Sequence, residues 1–71
     1  MITIHAHDLR VGDTIVEQRE TRPADRWPVE ATRFHTSHIT DIPVVVATLV
    51  MASGHRSEIE FPLDTSLTVE R

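Results

Sequence analysis

The sequence predicts an all-β domain, either a small barrel or a strongly bent antiparallel sheet of five to six short strands. Three observations lead there. Apolar and polar residues alternate with a period of two in short runs, most clearly in Glu58-Ile59-Glu60-Phe61. The β-branched run from Val44 to Val50 has the length and composition of a buried strand. Breaks containing Gly, Pro or Asp separate the runs, and no apolar pattern at helical spacing lasts for three turns.

Taken in order, Ile2-Thr3-Ile4-His5 reads as a first strand with Ile2 and Ile4 inward. Asp8 is expected to cap one helical turn over Leu9 to Val11, which Gly12 closes. Thr14 to Glu20 follows as a second strand. Its Ile15-Val16 pair needs a bulge or a covered outer face, since only one of two successive residues faces the core. Thr21 to Arg26 is a polar break stiffened by Pro23. Trp27 to Phe34 resumes an extended pattern, with Val29, Ala31 and Arg33 on one face and Glu30, Thr32 and Phe34 on the other. That alternation is poor, and His35 to Asp41 is either a loop or the same strand beyond a bend.

Pro43 suits the first position of a strand, where its missing N–H matters least. Val44 to Met51 is then the strongest strand. Ala52 to His55 forms a hairpin turn with Gly54 at positive φ, and Arg56 to Phe61 returns with Ile59 and Phe61 in the core. Phe61→Ala is therefore expected to cost roughly 3–5 kcal/mol through the cavity it would leave. Pro62 to Ser66 turns the chain into a closing strand, Leu67 to Glu70, with Leu67 and Val69 inward.

The 71 residues make a single domain, 1–71. A chain of this length buries only about 60% of its unfolded surface, so its core is small. It has no cysteine, which removes disulfides and thiolate chemistry and fits a cytoplasmic location. The N-terminus lacks the basic-then-apolar pattern of a secretory leader. The longest apolar run, Ile42 to Ala52, is well short of the ~20 residues of a membrane helix. A soluble cytoplasmic protein is expected. Eleven acidic residues against seven basic ones, all Arg, give a formal charge of −4, unlike the basic surplus of most nucleic-acid binders. The absence of Lys reads as coding bias rather than a recognition code.

Asp8-Leu9-x-Val11-Gly12-Asp13 before a strand, a central hairpin ending at Gly54, and Phe61-x-x-Asp64-x-x-Leu67-x-Val69 together resemble small SH3-like β-barrel proteins of actinobacteria and their phages. The resemblance covers most of the chain, but it consists of structural residues. It implies an SH3-like barrel in which Leu63 or Phe61 plugs one end. The chain departs from a minimal version in its long middle, Thr21 to Pro43. Such barrels carry many unrelated functions, so the resemblance implies a fold and no activity.

No constellation rises to a catalytic site, and an enzyme is not expected. His5-x-His7, His35-x-x-His38 and His55 are the only metal-like spacings, and without thiolates they read as locally hydrogen-bonded imidazoles. Asp8 and Asp13 read as cap and turn residues, and Glu58 and Glu60 as a solvated face, rather than a catalytic carboxylate pair. The serines lack a nucleophile-elbow context, and two glycines make no phosphate loop. No cofactor is implied.

Binding is the stronger reading. Arg19, Arg22, Arg26 and Arg33 concentrate in the first half beside Trp27 and Phe34. Trp27 can be a packing residue, an anchor for a protein partner or a platform for a base. The acidic balance, the lone Trp27 and the two-sided apolar strand after Ile42 favour a protein-interaction module, with a protein partner or a homo-oligomer. The alternative is a nucleic-acid-binding barrel using the Arg/Trp cluster, against which Glu17, Glu20, Asp25 and Glu30 nearly cancel the charge.

Overall fold

A computed structural model describes residues 1–71. The chain forms β1 (Ile2–His5), a 3₁₀ turn (Ala6–Asp8), β2 (Thr14–Glu17), β3 (Asp25–Thr36), β4 (Pro43–Val50), β5 (Arg56–Pro62) and β6 (Ser66–Glu70). These make one antiparallel sheet in the order β1-β6-β2-β3-β4-β5. The chain is therefore all-β. The sheet is open, with β1 and β5 at its edges, so closure into a barrel is not seen.

The sheet bends around one apolar cluster of Ala6, Leu9, Ile15, Val29, Val45, Ala47, Leu49, Leu67 and Val69. Ile4, Trp27, Met51, Phe61 and Leu63 pack against it from more exposed positions. The alternation of β4 and β6 places Val45, Ala47, Leu49, Leu67 and Val69 on this inner face, as their periodicity requires. Two backbone bonds seat the 3₁₀ turn on the β5–β6 connection: Ala6 N–H donates to the Thr65 carbonyl at 2.8 Å and His7 N–H to the Leu63 carbonyl at 3.0 Å.

The poor alternation of β3 has a physical cause. Its pairing with β4 slips between Val29 and Ala31, so Glu30 is the extra residue of a bulge. Trp27 and Val29 share the inner face before the bulge. After it, Thr32 and Phe34 lie opposite Ala47 and Val45 on that same face. The bulge thus separates Val29 from Ala31 and Arg33, which a regular strand would have kept together. β3 is also longer than expected and takes in His35 and Thr36, leaving Ser37–Ile42 as the connecting loop. Within that loop Asp41 sits at φ 55° and donates its N–H to the Ser37 carbonyl at 2.8 Å.

Several expectations are corrected. Ile2 is exposed because β1 is an edge strand, and only Ile4 reaches the core. Asp8 caps nothing: the 3₁₀ turn ends at Asp8, and its side chain instead lies 3.3 Å from His7 Nδ1. β2 stops at Glu17 rather than Glu20. Ile59 is not a core residue; it is 36% exposed on the edge strand β5. Phe61 is only partly buried, so the cavity cost of a fully enclosed Phe does not apply to it.

Val44 and Val46 are also buried within the single chain, although they lie outside the core cluster. The outer face of this central strand is covered by β3 and β5, where Arg33 on one side pairs with Glu58 on the other at 3.4 Å, across β4. The two-sided apolar pattern of β4 therefore needs no partner to explain it. Val16 is likewise buried outside the cluster, opposite Arg26, whose guanidinium pairs with Glu70.

The β4–β5 hairpin closes as the sequence predicts. Gly54 has φ 87°, and its N–H donates to the Met51 carbonyl at 2.9 Å. An added Cβ would meet no atom within 4 Å, so the penalty for a side chain is conformational rather than steric crowding. Gly54→Val is expected to lower stability by about 1–2 kcal/mol, the cost of a left-handed L-residue. Chemical denaturation of the variant checks this, and an unchanged midpoint would refute it.

Candidate binding cleft

Because the sheet bends without closing, its inner face remains open along one side. A cleft of about 510 Å³ lies there. Ile15 of β2, Trp27 of β3, Leu49 of β4, Ile59 and Phe61 of β5, and Leu67 of β6 supply its apolar walls. Glu17, Gln18, Ser66 and Thr68 supply polar groups, and Glu17 is the only charged residue that lines it. Leu49 is buried, while Ile59 and Ser66 are exposed, so the cleft runs from the core to open solvent. Trp27 is held in place by its cross-strand position opposite Ile15 and by packing on the core.

The Arg and aromatic residues picked out in the sequence are not brought together. Trp27 lines the cleft, and Phe34 lies on the same inner face but farther along β3, where it is 71% exposed. Arg26 and Arg33 are on the outer face, opposite Val16 and Val46. Arg26 pairs with Glu70 and Arg33 with Glu58. Arg19 bridges Asp25 at 3.0 Å and Glu17 at 3.4 Å. Arg22 is exposed in the β2–β3 connection and makes no ion pair. Two of the four candidate cations, Arg26 and Arg33, thus lie on the face opposite Trp27, and three of the four already face carboxylates.

Arg56 and Glu30 form a further exposed pair. Glu30 raises the guanidinium above its ordinary value, first by accepting its hydrogen bond and second by its charge. Since Arg56 is cationic in any case, this changes nothing about the site.

His5 and His7 stack loosely with ring centroids 5.5 Å apart, and His35 and His38 do the same edge to face at 5.5 Å. His55 sits alone in the hairpin turn. No three ligand-type side chains converge.

The sequence reading missed the residues that complete the cleft. Ile15, Leu49 and Leu67 read as ordinary core, and nothing in their local pattern says that one end of each meets solvent. It also missed Arg71. Asp13 does accept the Arg10 N–H at 3.0 Å, as a turn residue should. Yet it is only 3% exposed, and Arg71 completes its shell from the far end of the chain. A contact between residues so far apart in sequence leaves no local signature. No family model, no curated protein and no solved structure matches this chain.

Proposed function

We propose that this chain is a small non-enzymatic protein-interaction module that receives the apolar side chains of an extended partner segment in the cleft. The cleft itself carries the reading: an open, largely apolar concavity with an aromatic side chain in its wall and one charged lining residue. The lining chemistry suits aliphatic or aromatic side chains. No lining residue is a cation that would attract phosphate. The SH3-like likeness of the sequence is part of this proposal, as is a cytoplasmic setting. The nucleic-acid alternative rested on an Arg and aromatic platform, and no observation of the fold favours it, because Arg26 and Arg33 lie on the face opposite Trp27.

The test is selection from a displayed library of random peptides, followed by titration of the winners. Peptides rich in apolar side chains are expected to bind the wild type and to lose at least tenfold in affinity against Trp27→Ala. Trp27 also contributes to packing, so Ser66→Trp serves as a second variant. It fills the cleft from an exposed rim position without emptying the core. Peptides that bind wild type and both variants equally would overturn the proposal, as would a selection that enriches nothing.

A further inference from the structure

We propose that copies of this chain assemble head to tail, the β5 edge of one copy adding to the free Ala31–Thr36 edge of β3 in the next. Two observations make these edges available. β5 is a seven-residue edge strand, paired with β4 in unbroken register from Arg56 to Pro62, with no bulge and with Pro only at its last position. All of it but Phe61 is exposed. No bulge, interior Pro or covering segment blunts this edge; its charged side chains, Arg56, Glu58 and Glu60, instead select which edge it accepts, and its outer row of N–H and C=O groups pairs with no strand of this chain. β3 is the second edge. Its pairing with β2 ends at Pro28, so beyond Val29 it has β4 on one side and nothing on the other. By contrast, the other terminal strand, β1, has only four residues.

The side chains on the two edges are complementary. On the outer face β5 presents Glu58 and Glu60, while β3 presents Arg33 and His35. On the inner face β5 presents Ile59, and β3 presents Phe34, which is otherwise a 71% exposed aromatic ring. β3 and β5 run the same way in the sheet, so keeping the inner faces of both copies on one side makes this junction parallel, and centring β5 of one copy on β3 of the next then sets Glu58 against Arg33 and Glu60 against His35. It also sets Ile59 beside Phe34. Like edges do not fit. Two β5 strands paired antiparallel along their whole length place Glu58 opposite Glu60 twice. Two β3 edges place Arg33 against Arg33 or His35 in either central register. Same-edge pairing in these registers brings no opposite charges together, whereas opposite-edge pairing sets Glu58 against Arg33. The Arg33–Glu58 bridge within one chain is exposed and 3.4 Å long, so it does not compete strongly.

Such a contact is heterologous, so it grows into a ring or an open filament rather than stopping at a dimer. Sedimentation of the wild-type chain over a hundredfold concentration range tests it. The average mass should rise past that of a dimer, and Glu60→Arg and Arg33→Glu should each weaken assembly at least tenfold. Both substitutions are at exposed positions. The sharpest prediction concerns the mixture. Glu60→Arg keeps an intact β3 edge and Arg33→Glu an intact β5 edge, while the two substituted edges, in the parallel register, set the new carboxylate at position 33 against Glu58, so two weakly associating variants should combine into a 1:1 dimer that grows no further. A wild type that stays monomeric at about 200 µM would overturn the proposal. So would variants that assemble like wild type, or a mixture that forms no dimer. This outcome is separable from peptide capture, because Ser66→Trp should block the cleft and leave assembly intact.

Discussion

Leu49→Ala is expected to lower the stability of this chain by about 3–4 kcal/mol, within the range for enclosed Leu truncations. Leu49 is among the largest fully buried side chains and stands opposite Val29 of β3 and Ser57 of β5. Its removal deletes contacts with the core cluster and deepens the cleft. The central strand of the β3–β4–β5 meander cannot readily collapse inward, because the strands on both sides hold its backbone. A domain of this size has a total stability on the order of 5 kcal/mol. Most of that is lost, so urea unfolding of the variant should begin almost without a native baseline. A loss below about 1 kcal/mol would show that Leu49 is not the packing centre that its burial indicates.

Arg71→Met is expected to cost about 2–3 kcal/mol. Asp13 is a buried carboxylate with three donors around it: Arg10 N–H at 3.0 Å, Arg71 Nε at 2.9 Å and Arg71 Nη2 at 3.3 Å. The same Nη2 also donates to the Asp8 carbonyl at 2.9 Å, which ties the 3₁₀ turn to the end of the closing strand. Without the guanidinium, the carboxylate keeps one donor in a site that water reaches poorly. Arg71 is itself about one-third exposed, so the loss falls below the 3–5 kcal/mol typical when a fully buried pair is broken. A double-mutant cycle with Asp13→Asn checks the cause. The double variant should be less destabilised than the sum of the single ones, because the stranded charge is gone. Strict additivity would show that the two side chains act independently.

The strands were legible where one face of a strand is buried and the other is wet. Leu67-Thr68-Val69 and the Gly54 hairpin follow directly from period-two alternation and from the need for a positive φ. Two kinds of feature were not legible. The first is an irregularity that resets the period. The Glu30 bulge makes Trp27 to Phe34 look badly patterned when its two halves are each well patterned. The second is burial that depends on neighbours far away in sequence. Val44 and Val46 look like an uncovered apolar face until β3 and β5 are placed on either side of them. Ile59 looks like core until β5 turns out to be the last strand of the sheet. The cleft belongs to this second kind, because its walls come from five strands and none of its lining residues is unusual in its own segment. Trp27 stands out in the sequence as the lone Trp, but the sequence alone leaves packing, a protein anchor and a base platform all open. The separation of Trp27 from Arg26 follows from the pleat, and its separation from Arg33 from the bulge at Glu30.

The strand order has a consequence for the order of events as the chain is made. β3, β4 and β5 are joined by short connections and pair as they emerge. β1 pairs only with β6, and β2 needs β6 along its other side. At ribosomal speeds of 5–20 residues per second, roughly 50 residues separate β2 from its late neighbour, a wait of about 3–10 s. Throughout it, Ile4 and Ile15 have no Leu67 or Val69 to cover them. Long-range pairing of this kind is also slow to form once the chain is free. Until β6 emerges, the most the nascent chain can pair is the meander β2-β3-β4-β5, with β1 unpaired and the core open on the side that β6 will fill. That is the state in which a chaperone, or a neighbouring nascent copy, would find it.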